Sequence, residues 1–273
     1  MMAETQFHAV VLAGGPPPGE DALAASRGVA KKSLIPLAGK PMVQWVVEAL
    51  QASGRVRTIV VTGLAPEDGV AFAGDVVLQP DAGGLLDNIF AGVDRVQALD
   101  SQADRVLSCS ADIPLLTPEV VRYFVGACTN PEFDLYYSVV EREVMEAQFP
   151  GSGRTFVPLK DGRFAGGDMY MLRIAAARAN EHLARELVEE RKNYRKQIQL
   201  IGVGALLQFL LRRLDVAGAE RVVSKRLHLR GKAIVSPYVE LAMDADKPYQ
   251  LEMIEAALLR RAAAQGHLPN ADR

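Results

Sequence analysis

The sequence predicts an α/β fold, a mostly parallel sheet covered by helices on both faces. Three observations carry this. Short apolar runs of strand length recur at 9–13, 57–62, 76–78, 105–110 and 135–140. Stretches between them return their apolar residues at helical spacing. The chain, with 273 residues of which 49% are hydrophobic, is long enough for one substantial core. Continuous apolar strands alternating with helices are the pattern of a sheet buried on both sides.

The first strand, Ala9-Val10-Val11-Leu12-Ala13, runs into Gly14 and Gly15 and then a Pro- and Gly-rich loop to about Val29. Lys31, Lys32, Leu34-Ile35-Pro36-Leu37 and Gly39-Lys40-Pro41 follow. Met42, Trp45, Val46, Ala49 and Leu50 then fall on one helical face. Strand, glycine turn, basic loop and helix in that order suit a phosphate. Small residues let backbone N–H groups approach an anion, and lysines add positive charge. Neither the P-loop pattern nor G-x-G-x-x-G is present.

Arg57 to Thr62 reads as a second strand ended by Gly63, and Val76 to Leu78 as a short third. The loop 79–84 leads to a helix carrying Leu86, Ile89, Phe90, Val93 and Val96, with Asn88 placed to face that loop. Arg105 to Ser110 is a strand that runs directly into Asp112. Thr117 is the expected cap of a helix opened by Pro118-Glu119. Leu135 to Val140 is a strand, Glu141 to Gln148 a polar helix or connection, and Thr155 to Leu159 another strand. Gly166 and Gly167 precede 168–172, a short strand or the entrance to a helix, and Ile174 to Val188 is helical.

Charge is dense over 186–196. An amphipathic run over 198–216 carries Leu206, Leu207, Leu210, Leu211 and Leu214. A core-facing helix pair is the expected use of that stripe, with a dimer contact or a lipid-like substrate as alternatives. Leu227 to Ile234 returns to strand, and a terminal helix runs from about Tyr249 to Gln265 with Leu251, Ile254, Leu258 and Leu259 as its apolar positions. One domain over 1–265 is expected, with a helical insertion at 175–225 and a flexible tail at 266–273.

Lysine and arginine number 31 against 33 acidic residues, a balance that argues against a general nucleic-acid binder. Two cysteines make neither a disulfide framework nor a cysteine-rich metal site. The beginning of the chain lacks a signal-peptide pattern, and no apolar run is long enough to span a bilayer, so a cytoplasmic location is expected.

Asp112 lies where an apolar strand ends, the edge at which parallel α/β proteins gather their chemistry. A carboxylate there suits Mg²⁺, a hard cation that takes oxygen ligands. Asp244 and Asp246 stand beside another strand end. Strand periodicity puts both on one side and does not choose between them. The simpler use of each acid is to cap a turn or a helix. Their combination with Lys32 and the glycine turn is what points to catalysis.

These segments resemble the MobA-like nucleotidyltransferases. Val11-Leu12-Ala13-Gly14-Gly15, Lys32-Ser33-Leu34-Ile35-Pro36-Leu37 and Gly39-Lys40-Pro41 look like the family signature. Ser110 to Leu116 looks like its metal-binding segment, and Asp244-Ala245-Asp246-Lys247-Pro248 like its late motif. The resemblance spans about residues 9 to 259. It implies a three-layer, Rossmann-like sheet of the GT-A type and transfer of a nucleoside monophosphate from an NTP to a phosphorylated or carboxylate-bearing small molecule, with pyrophosphate leaving. By this resemblance Leu12, Ala13, Gly14, Gly15, Lys32 and Asp112 contact the nucleotide, and Gln79, Gly83 and Gly84 its base. Asp112 and Asp246 hold Mg²⁺, with Lys32 neutralising developing charge, and Gly166, Gly167 and Asp168 line the acceptor pocket. GTP or CTP is the favoured nucleotide, and a homodimer is compatible with the reading. The sequence departs from the family where Pro16-Pro17-Pro18 replaces an arginine-bearing turn, and Arg27 is the nearest substitute for that charge. Two other readings remain: a glycosyltransferase using a nucleotide sugar, for which Asp244-Ala245-Asp246 resembles a D-x-D motif, and a non-catalytic nucleotide-binding protein.

Overall fold

The computed structural model describes residues 6–17, 19–189 and 213–264. Most of the amphipathic run over 198–216, most of the charge-dense stretch and the expected tail lie outside the described residues. So does the central part of the expected helical insertion.

An eight-stranded sheet organises the chain. Its strands are β1 (Phe7–Leu12), β4 (Val56–Thr62), β5 (Val76–Gln79), β6 (Arg105–Ser110), β7 (Leu135–Glu141), β8 (Val157–Leu159), β9 (Gly162–Arg173) and β10 (Gly231–Ser236). The order is β10-β7-β9-β6-β1-β4-β5, with β8 paired to β9. Parallel pairing joins β1 to β4 and β6, β4 to β5, and β7 to β10. Strand β9 runs antiparallel to β6, β7 and β8. A two-residue turn joins β2 (Pro36–Leu37) and β3 (Lys40–Pro41) in a separate hairpin. Its central residues, Ala38 at φ 47° and Gly39 at φ 92°, have the positive φ pair that matches strand twist in such turns.

Helices cover both faces, giving three layers. On one face α2 (Met42–Ala52), α4 (Pro118–Ala127), α5 (Arg142–Gln148) and the last helix, α9 (Pro248–Ala264), bury Val46, Leu50, Phe124, Met145, Leu251 and Ile254 in the larger core. On the other, α3 (Leu85–Leu99) and α6 (Ile174–Ala179) close a smaller core of Val10, Val60, Val93, Val96, Val106 and Ile174. Thr117 caps α4 as expected, its hydroxyl accepting from the Val120 N–H at 3.3 Å.

Several boundaries differ from the sequence expectation. The loop after β1 contains a short helix, α1 (Ala22–Ser26), capped by Asp21, which accepts from Leu23 and Ala24 N–H. Strand β9 is 12 residues long and carries Gly166 and Gly167 in its interior. The glycines admit neighbours: a Cβ at Gly166 would stand 2.3 Å from the Tyr137 hydroxyl, and one at Gly167 2.2 Å from that of Ser138. The helix expected over 174–188 is two, α6 and α7 (Glu181–Glu189), divided at Asn180. Helix α8 (Val216–Arg226) runs on to the residue before Leu227, so β10 begins at Gly231. In α3 the buried position falls to Asn88 rather than to Leu86 or Ile89. Leu259 of α9 is exposed. Both cysteines are free. Among the described residues, no helix is long and apolar enough to cross a membrane.

At the carboxyl edge the strand ladder continues into the loops. Ala13 N–H donates to Thr62 O, Ala111 N–H to Leu12 O, and Gly63 N–H to Gln79 O. Gly63 has φ 91°, and a Cβ there would stand 2.0 Å from the Gly14 nitrogen. Gly63→Ala is therefore expected to lower stability by about 2–4 kcal/mol, combining left-handed strain with overpacking. Urea unfolding is the measurement; an unchanged midpoint would show that β4 does not back the Gly14 loop.

Candidate active site

Lys32 stands at the centre. It follows the glycine loop in sequence, and Ser33 fixes it by donating its buried hydroxyl to Ala13 O at 2.9 Å. The Lys32 ammonium bonds Asp112 Oδ2 at 2.5 Å and Asp246 Oδ1 at 2.7 Å. Asp112 comes from the end of β6. Asp246 comes from the loop before α9, held because Ala245 N–H donates to Asp112 O at 3.0 Å. Three segments remote in sequence thus meet on one charge, as expected for Lys32, Asp112 and Asp246.

Burial pulls the Lys32 pKa down, but Asp112 and then Asp246 outweigh it, and the net shift is upward. Burial works against charge on Asp246 as well, and its bond to Lys32 still brings its pKa below the ordinary carboxylate value.

Asp244 and Asp246, which periodicity leaves equivalent, have different surroundings. Asp244 is buried and ion-paired with Arg154. Asp246 has a side chain 57% exposed and turned to Lys32. Arg154 also donates to Gly166 O at 2.9 Å and lies 3.8 Å from Asp168. Gln250 joins the two loops: its side-chain oxygen accepts from Asp246 N–H at 3.1 Å, and its amide donates to Ser152 O at 2.9 Å.

Two cavities flank Gly14 and Gly15. One, about 170 Å³, is lined by Ala13, Asp21, Lys32, Ser110 and Asp112. The other, about 280 Å³, is lined by Pro17, Gly83, Gly84, Leu85 and Asn88. Leu12, Gly14 and Gly15 belong to both walls. Gly14 is needed for close approach, since a Cβ there would stand 2.7 Å from the Asn88 amide nitrogen; at Gly15 it would meet nothing within 4 Å. Asn88 faces the loop as expected, accepting from Ala82 N–H at 3.1 Å and donating to Asp81 at 2.9 Å. Asp81 is a carboxylate at the glycine loop. Burial opposes its charge, but the Gly83 N–H, Asn88 and the Gly15 N–H bring its pKa down. Helix α3 starts at Gly84 with no side-chain cap, so its first N–H groups open toward this cavity.

Other expected residues are not brought to these cavities. Arg27, exposed at the end of α1, lines neither, and Gln79 lines neither while its carbonyl bonds Gly63. Gly167 is packed against Ser138 and Leu241 on the sheet's other face, so of the acceptor trio only Gly166 and Asp168 share the Arg154 neighbourhood. The sequence reading missed Arg154, Gln250, Asp81 and Leu85. An arginine directly after loop glycines, Gly151-Ser152-Gly153-Arg154, was the one available signal.

The profile of the MobA-like NTP transferase domain matches residues 9–198. The chain belongs to this family. Nucleotidyltransferase-type activity goes with that membership. A hypothetical transferase from Thermus thermophilus shares 37% identity with this MobA-like chain at a TM-score of 0.79, covering 90% of this chain and 100% of that one. The bifunctional protein GlmU of Geobacter metallireducens is 36% identical over 119 residues, 38% of this chain and 24% of that protein, so the match spans about a quarter of that relative. CMP:2-keto-3-deoxy-manno-octonic acid synthetase, complexed with CTP, aligns at a TM-score of 0.56 and 16% identity, over 94% of this chain and 100% of that one. The 4-diphosphocytidyl-2C-methyl-D-erythritol synthase of Anaerococcus prevotii aligns at 0.57 and 9%, over 93% and 98%. The last two likenesses concern the fold, the α/β three-layer architecture of GT-A type.

Asp168 offers a test of the site's electrostatics. Burial, then Asp112 and Asp244, push its carboxyl up to about 8. The unfolded carboxyl titrates near about 4. The folded state therefore holds this proton more tightly, and stability falls as pH rises between the two values. In metal-free, nucleotide-free protein, Asp168→Asn is expected to raise Tm above the wild type by more at pH 8 than at pH 5. Equal differences at the two pH values would show an ordinary carboxyl.

Proposed function

We propose that the chain transfers a nucleoside monophosphate from an NTP to a phosphorylated or carboxylate-bearing small molecule and releases pyrophosphate. The observation that carries this reading is Lys32 on Asp112 and Asp246 beside the glycine loop. An acceptor oxygen attacks the α-phosphorus in line. The new P–O bond forms as the bond to the bridging oxygen breaks, and pyrophosphate leaves with that electron pair. Such a step needs alignment and charge neutralisation more than a protein nucleophile.

Two carboxylates facing one ammonium leave an excess negative charge, and a triphosphate adds to it, which favours a cation entering with the nucleotide. Asp112 and Asp246 fit that use: Asp112 Oδ1 is buried with no hydrogen-bond partner among the described residues, and Asp246 is open to the cleft. Among the described residues no group of three or more His, Cys, Asp or Glu is arranged to hold a metal. Mg²⁺ takes one or two carboxylates and completes its shell with phosphate oxygens and water. Bound there, Mg²⁺ would neutralise phosphate charge. Lys32 has three donors, two of them on carboxylates, and the third would serve a phosphate oxygen. Gly14 and Gly15 would border the phosphates, while Gly83, Gly84 and Leu85 would wall the base. Gly166 and Asp168 would lie on the acceptor side. The pairing of Asp244 with Arg154 leaves one acid of the Asp-x-Asp pair for a cation, which favours an NTP over a nucleotide sugar.

Pyrophosphate release, with GTP and CTP as the first nucleotides and phosphorylated sugars and alcohols as acceptors, tests the reading. Lys32→Ala and Asp112→Ala are each expected to lose about 100-fold or more in rate while remaining folded; full activity in both overturns the roles. Asp246→Asn is expected to raise the Mg²⁺ concentration for half-maximal rate, whereas Asp244→Asn lowers Tm. The opposite pattern would exchange the two acids' roles.

A further inference from the structure

Gln250 has both ends of its amide spent inside the protein. It is 2% exposed, and glutamine is seldom so buried without partners. As the third residue of α9 it would complete a capping box by accepting from the backbone of Lys247, whose carbonyl takes the first bonds of the helix. Its oxygen goes one residue further, to the Asp246 N–H at 3.1 Å. The bond thus falls on the residue whose carboxylate faces Lys32.

The Asp246 side chain is exposed, so little packing aims it and its direction follows the backbone beneath it. That backbone is held on both sides. Ala245 N–H donates to Asp112 O at 3.0 Å, which refers the segment to the end of β6, and the Gln250 bond refers it to α9. The far end of Gln250 donates to Ser152 O at 2.9 Å. The loop over 151–154 is itself braced. The Tyr249 hydroxyl lies against Gly153, which has φ 69° and where a Cβ would overlap it. Arg154 is ion-paired with Asp244 and donates to Gly166 O at 2.9 Å. With an N–H at one end and a carbonyl at the other, the Gln250 amide has a single orientation, since a flip would set donor against donor.

We propose that Gln250 is a positioning residue for the cation: it holds the Asp246 backbone so that the carboxylate serves both Lys32 and a Mg²⁺ entering with the nucleotide, with the 151–154 loop as its brace. Gln250 lines neither cavity of the cleft and acts through Asp246. The inference rests on the transfer reading and adds a residue to it.

Calorimetry on the full chain with GTP and with CTP, each in EDTA and in Mg²⁺, tests it. The readout is the factor by which Mg²⁺ tightens nucleotide binding, which needs no turnover. Gln250→Met keeps the length of the side chain and removes both hydrogen bonds. It is expected to cut that factor about tenfold, as is Asp246→Asn. The double variant is expected to lose no more than either single one, because both changes act through one carboxylate. Thr117→Ala is the control: it removes the cap of α4, lowers Tm and leaves the factor unchanged. Gly153→Ala sets a methyl against the Tyr249 hydroxyl and displaces the brace. It is expected to cut the factor at least about threefold, and it decides the matter if Gln250→Met does not fold. Two results would overturn the proposal. One is a wild-type factor in folded Gln250→Met or Gly153→Ala. The other is losses of Gln250→Met and Asp246→Asn that add in full, which would leave Gln250 as a cap of α9 alone. Either removes this proposal and leaves the transfer reading standing. Nucleotide binding that Mg²⁺ does not tighten in the wild type removes the cation and this proposal with it. Failure to bind any nucleotide removes the transfer reading beneath both.

Discussion

The Lys32 ammonium between Asp112 and Asp246 is the interaction on which the cleft depends. It joins the loop after the first strand, the end of the central strand β6 and the entry to the last helix. No one of these segments has a local reason to approach the others. A lysine drawn from water in this way is costly unless its charge is answered, and here two carboxylates answer it. The same contact sets the charge that an incoming ligand meets.

Backbone geometry makes that contact a consequence of the sheet. Leu12 O holds Ala111, the Ala13 carbonyl holds Ser33, and Asp112 O holds Ala245. Each bond transmits the position of a parallel strand end to the side chain one residue away. Gln250 and Arg154 extend the arrangement toward β9, with Gln250 on the Asp246 backbone and Arg154 on the Asp244 carboxylate. The Lys32 side of the cleft is therefore built from strand ends, and the Asp244 side from loops that reach across to β9.

Much of this was legible in the chain. Continuous apolar runs gave the strands because a sheet covered on both faces lacks polar alternation. Lys32 and Asp112 stood out because each adjoins a strand or a glycine turn. The choice between Asp244 and Asp246 was not legible, since it depends on Arg154, some ninety residues earlier in the chain. Strand β9 was read too short because Gly166 and Gly167 look like breakers, whereas their small size accommodates Tyr137 and Ser138. Strand β10 was placed early because Leu227 and Leu229 resemble a strand, yet α8 continues to Arg226 and His228 turns the chain at φ 47°. Arg27 was assigned by nearness in sequence to the glycine loop, and α1 intervenes.

The reversed direction of β9 separates two design problems. Its first half borders the cleft, while its second half carries the chain to the opposite edge of the sheet before α6 begins. The chain leaves β9 at the end of the sheet away from Asp112 and, among the described residues, returns to it only with Asp244 and Asp246, while α7 on the way is tied to α3 by Arg185 and Asp87. Chain inserted between α6 and β10 can therefore change in size without moving β6, whose pairing with β1 sets the position of Asp112.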